Sequence, residues 1–133
     1  MKKKSACLVA ALIWSIAGVA SAYIDTEAAI GYANTQRDAQ ALKDMVLCTD
    51  FYYSTENAPF FPTKDKERFS AAYQGVQRYL QATYSHVDAD NLFGSGMVYA
   101  GAAPRLETDQ EKFERAKWCQ GFTKFLQDTY NGN

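Results

Sequence analysis

The first 22 residues decide the compartment in which this chain folds, and so the covalent chemistry open to everything after them. Lys2, Lys3 and Lys4 make a positive start, and Cys7 to Val19 form a short apolar run. Ala20-Ser21-Ala22 then supplies the small-residue pattern that a signal peptidase cuts. The run is too short to span a bilayer comfortably, and polar, acidic sequence follows it instead of a basic stop-transfer cluster. Cleavage after Ala22 is expected, with Tyr23 as the mature N-terminus. The leader is bacterial in style, so the expected location is the periplasm. Cys7 lies inside the apolar run and not at the cleavage site, which argues against a lipid anchor.

Removing residues 1–22 leaves residues 23–133, about 111 residues and enough for one small domain. The leader takes three of the fourteen basic residues and none of the fifteen acidic ones, leaving a formal charge of about −4. Clustered Lys and Arg for nucleic acid or an anionic membrane are missing from that balance. No second apolar stretch is long enough to span a membrane. Cys7 leaves with the leader, so Cys48 and Cys119 alone remain. In an oxidising compartment they most simply form one disulfide. Closing a loop of roughly 70 residues removes about 4 kcal/mol of unfolded-state entropy, a large share of a small domain's net stability.

Helical periodicity dominates the mature chain. From about Thr35 to Tyr53, Ala39, Leu42, Val46, Thr49 and Tyr53 recur at spacings of three and four, with Thr35 and Asp38 as a capping signal. Residues 23–34 could extend this helix, although Gly31 weakens the extension. Asn57, Pro59 and Pro62 break the pattern. Thr63 is the expected cap of a second helix reaching about Tyr84, with Phe69, Tyr73, Val76, Leu80 and Tyr84 along one stripe. Residues 85–105 allow a short helix from Asp90 to about Tyr99 or a loop, because Gly94, Gly96 and Gly101 weaken any helix there. Thr108-Asp109-Gln110-Glu111 is a capping box that opens a last helix to about Tyr130. Its expected apolar face is Phe113, Ala116, Cys119, Phe122, Phe125 and Leu126. The fold class this implies is all-α, a small three- to four-helix bundle whose disulfide joins the first and last long helices.

Chemical signatures are tested and set aside. Asp88-Ala89-Asp90-Asn91 places Leu92, Phe93 and Tyr99 where a calcium loop needs an oxygen ligand, a glycine and a glutamate, so it reads as a turn and helix cap. Gly94-Ser95-Gly96 lacks the Lys-Ser/Thr of a phosphate loop and reads as a close helix approach or a turn. His86, the single histidine, has no nucleophile motif beside it and is expected at a helix C-terminus. No metal-ligand spacing, covalent haem motif or other cofactor signature is present, and no pair of carboxylates stands out as catalytic.

The aromatics are the remaining candidates. Nine Tyr and eight Phe all belong to the mature chain, and most fall on helical stripes. Phe60 and Phe61 sit between Pro59 and Pro62, with Tyr52 and Tyr53 leading into that loop. Aromatic side chains give large contact area at low entropic cost, so Tyr52, Tyr53, Phe60 and Phe61 are the candidate partner-binding residues. The competing reading is that Phe60 and Phe61 fold back over one end of the bundle.

A leader followed by a small helical domain, with Cys48 in an early helix and Cys119 in the last, resembles periplasmic immunity proteins of type VI secretion amidase effectors. The likeness is one of layout over the whole mature chain, and no inhibitory loop motif matches residue by residue. It implies a non-enzymatic protein acting through a protein partner in the cell envelope, as an inhibitor, immunity factor or accessory. A small helical envelope enzyme and a stress or structural protein without a specific ligand are the alternatives. A homo-oligomer is compatible with the sequence.

Overall fold

The computed structural model describes residues 26–131, with side chains from residue 31. The leader, its cleavage site and Gly132 lie outside the described residues. Every regular element described is helical: α1 (Thr26–Tyr53), a 3₁₀ turn (Thr55–Phe60), α2 (Thr63–Thr83), α3 (His86–Ala102) and α4 (Asp109–Tyr130). The chain divides into two units between Arg37 and Asp38. In the first, Thr35 is not a cap. It lies within α1 and its hydroxyl donates to the Gly31 carbonyl at 2.9 Å, an i−4 bond that suits a helix interior.

The second unit holds the core. Ala41, Leu42, Met45, Cys48, Phe51 and Tyr52 of α1 meet Phe69, Ala72, Val76 and Leu80 of α2 and Ala116, Cys119, Phe122 and Leu126 of α4. Cys48 and Cys119 are joined, with Cα atoms 5.8 Å apart, so the disulfide links α1 to α4. The buried face of α1 is rotated from the expected one, because Asp38 and Cys48 belong to it while Tyr53 is exposed. The reason is chemical. The disulfide draws Cys48 inward, and tyrosine hydroxyls satisfy the buried Asp38 carboxylate.

Helix starts differ in a similar way. Pro62, not Thr63, is the N-cap of α2, and no side chain caps it. The helix α3 begins four residues earlier than expected, at His86, because the Ser85 hydroxyl accepts from the Asp88 amide at 3.1 Å. His86 therefore opens a helix instead of closing one. The glycines do not break α3. A side chain at Gly96 would bring its Cβ within 2.8 Å of the Leu42 carbonyl oxygen, so this glycine lets α3 approach α1 closely. The capping box of α4 is present: the Glu111 amide donates to Thr108 Oγ1 at 3.1 Å, and Glu111 Oε1 accepts from the amides of Thr108 and Glu107 at 3.0 and 2.8 Å. Those two amide bonds hold the Glu111 carboxyl below its ordinary pKa. On α4, Phe113 and Phe125 are exposed and not part of the core.

Candidate functional site

The proline-bounded loop turns two adjacent phenylalanines in different directions. Asn57 is buried, and its Nδ2 donates to the Phe51 carbonyl at 3.0 Å, fastening the 3₁₀ turn to the last turn of α1. Pro59 lies inside that turn and Pro62 caps α2. Between them Phe61 is extended and points inward, its ring centroid 5.6 Å from Phe51 and 4.8 Å from Tyr52. Phe60 instead meets Phe113 of α4 edge to face at 4.9 Å. The Lys112 ammonium lies 5.5 Å from the Phe60 ring centroid and 3.7 Å from Glu56 Oε1, which ties the loop to α4.

The four residues expected to bind a partner are therefore dispersed. Tyr52 is a core residue, 2% exposed, and cannot serve as a surface anchor. Phe61 is half-buried against it. Tyr53 is exposed on the α2 side, where its hydroxyl is hydrogen-bonded to Ser70 Oγ and the Lys66 ammonium sits 4.2 Å from its ring centroid. Phe60 reaches the surface beside Phe113, which is 54% exposed.

A second aromatic group lies on α4, where the expected apolar face holds Phe122 and Phe125 but not Trp118. Trp118, Phe122 and Phe125 of α4 stack in sequence, at 5.4 Å and 6.0 Å between centroids, and both Trp118 and Phe125 are exposed. Trp118 stands four residues before Phe122 on the same flank of the helix, the spacing that could have added it.

An open pocket of about 440 Å³ lies between α2 and α4. Tyr52 and Asp65 both line it, and both are buried, at 2% and 6% exposure. The Tyr52 hydroxyl and Asp65 Oδ1 are themselves closed off from solvent, and among the described residues neither is paired in a well-formed hydrogen bond. Arg68 Nη1 stands 4.0 Å from Asp65 Oδ1, beyond hydrogen-bond distance. The Thr123 hydroxyl gives its proton to the Cys119 carbonyl at 2.8 Å. Burial first, and the Asp65 charge second, push the Tyr52 phenol up to about 12, with Thr123 acting the other way. Asp65 sits in the first turn of α2, where the helix dipole favours a negative charge. Lys117, Gly121 and Lys124 of α4 complete the other wall.

Among the described residues no three His, Cys, Asp or Glu side chains gather as metal ligands, and no helix is long and apolar enough to cross a membrane. Comparison with family models, curated proteins and solved structures finds no match to the chain.

Proposed function

We propose that this is a non-catalytic periplasmic protein that acts by binding a protein partner, in an inhibitory, immunity-type or envelope accessory role. The observation that carries this reading is the Phe60–Phe113 pair. One ring comes from a turn held by Asn57, Pro59 and Pro62, the other from α4, and Phe113 is more than half exposed. The ion pairs of Glu56 with Lys112 and, at 4.0 Å, with Arg105 put charged groups close by. An aromatic centre with a polar surround, held in place before contact, is the usual composition of a binding hot spot. The leader pattern and the Cys48–Cys119 bond support an oxidising, extracytoplasmic location.

Cross-linking of the purified, disulfide-bonded protein in envelope extract tests the reading. Phe60→Ala and Phe113→Ala are expected to weaken capture of one partner about thirtyfold, equivalent to about 2 kcal/mol, with a loss of stability of only about 1 kcal/mol from the broken ring pair. Phe61→Ala is the contrast, expected to destabilise the fold by about 2–4 kcal/mol through loss of its packing on Phe51 and Tyr52. Large stability losses in Phe60→Ala and Phe113→Ala, or unchanged capture, would overturn it.

A further inference from the structure

The end of α4 is fastened to α2 by a side chain that is chemically labile. Asn131 closes α4, and its Nδ2 donates to the Leu126 carbonyl of its own helix at 3.4 Å and to the Ala72 carbonyl of α2 at 3.3 Å. Opposite it, α2 carries a buried glycine, Gly75. A Cβ built on Gly75 would fall onto Asn131 Oδ1 and Cγ, so the amide fills the space a side chain there would take. Glycine inside a helix is destabilising relative to alanine, and here it makes the seat for Asn131.

The residue after Asn131 is Gly132. An asparagine before glycine cyclises readily, because no Cβ on the following residue hinders the approach of its peptide nitrogen to the side-chain carbonyl carbon. The Gly132 nitrogen attacks Asn131 Cγ and gives up its proton, the Cγ–Nδ2 bond breaks, and ammonia leaves with that proton. Water then opens the cyclic imide at either carbonyl, which leaves an aspartate or an isoaspartate at position 131.

The fold opposes the first step, since Cγ is attacked only after the amide leaves its seat over Gly75 and its bonds to Ala72 and Leu126. Once the step has occurred, the seat no longer suits its occupant. The amide donates, whereas a carboxylate only accepts. A negative charge would face two carbonyl oxygens at the C-terminal end of α4, where the helix dipole disfavours it.

We propose that Asn131 is a site of spontaneous deamidation that its seat on α2 restrains, and that the modification unfastens the end of α4 from α2. The inference is independent of the Phe60–Phe113 surface, and either can fail without the other.

Incubation of the full, disulfide-bonded chain at mildly alkaline pH tests this, with peptide mapping for isoaspartate and for a gain of about 1 Da at position 131. Deamidation there is expected to be about tenfold slower in the folded protein than in the same chain unfolded in urea, as suits two modest hydrogen bonds. Gly75→Ala, which displaces the amide, should raise the folded rate towards the unfolded one and leave the unfolded rate unchanged. The modified protein and Asn131→Asp should both show a thermal midpoint lower by about 5 °C and faster amide hydrogen exchange from Gln127 to Tyr130. If Gly75→Ala does not fold, the comparison of folded with unfolded rates and the Asn131→Asp variant remain decisive. Equal folded and unfolded rates, a folded Gly75→Ala as protected as the parent, or an unchanged midpoint and exchange after modification would overturn the proposal.

Discussion

The hydroxyl of Tyr130, the last residue of α4, donates to Asp38 Oδ1 at 2.5 Å, across 92 positions of sequence. Tyr79 and Tyr84 donate to the other oxygen of the same carboxylate at 2.8 and 2.5 Å. One fully buried acid on α1 thus gathers a residue of α2, the residue that ends α2, and the end of α4. The Tyr79 ring also packs on those of Tyr130 and Tyr84, at 4.9 and 6.5 Å between centroids. Hydrogen bonds to a charged group are stronger than neutral ones, and stranding such a group or its donors in the interior is expensive.

Asp38→Ala is expected to lower unfolding free energy by about 3–5 kcal/mol, since three half-buried hydroxyls lose their fully buried acceptor. Tyr130→Phe should cost about 2 kcal/mol, as it removes the bond to Asp38 Oδ1. Urea unfolding of both variants checks the order.

The disulfide makes a second stability prediction. Cys48 and Cys119 are 71 positions apart, and in the chain-entropy model opening that loop costs about 4 kcal/mol. Because both cysteines are fully buried in the core, Cys48→Ala with Cys119→Ala should add a packing loss to the entropic one. Thermal unfolding with and without reductant should therefore show a large drop in midpoint for the reduced protein, and at least as large a drop for the double variant.

Two nearby glycines of α3 should respond in opposite ways. Gly96→Ala places a methyl group against the Leu42 backbone and Val46, and is expected to destabilise by about 1–3 kcal/mol. At Gly94 an added Cβ meets nothing within 4 Å, so Gly94→Ala should be neutral or stabilising by up to about 1 kcal/mol through helix propensity. Paired denaturant curves would show the difference directly.

Alkaline pH should expose the buried phenol. Tyr52 is neutral when protonated, and its folded pKa is raised from 10.0 to about 12. Below about pH 10 both folded and unfolded states hold the proton, and the group adds no pH dependence. Between about pH 10 and 12 the unfolded chain releases it first, so stability falls by up to about 2–3 kcal/mol. Tyr73, also raised by burial, adds in the same direction. Tyr52→Phe should therefore lose less stability than the parent over this interval, measured by urea unfolding alongside phenolate absorbance.

Features carried by neighbouring residues were legible without coordinates. The Thr108–Glu111 capping box, the proline break after Tyr53 and the stripe of Phe69, Val76 and Leu80 each depend on contacts within a turn or two of helix. The pairing of Cys48 with Cys119 was legible for a different reason: once Cys7 is set aside, no other pairing exists.

What the sequence by itself determined is the all-helical class, the position of most helices and the single covalent link. Those follow from local hydrogen bonding, the period of the apolar residues and a count of cysteines. Only the tertiary structure decided that Asp38 faces inward, because the hydroxyls of Tyr79, Tyr84 and Tyr130 come from 41 to 92 positions away. The same holds for Phe60 and Phe61, neighbours in sequence that α4 and α1 draw to opposite partners. It holds too for the pocket, whose Tyr52, Asp65 and Gly121 lie on three different helices. A buried polar group is tolerated or left unpaired according to what other elements bring to it, and that information exists only once the chain has folded.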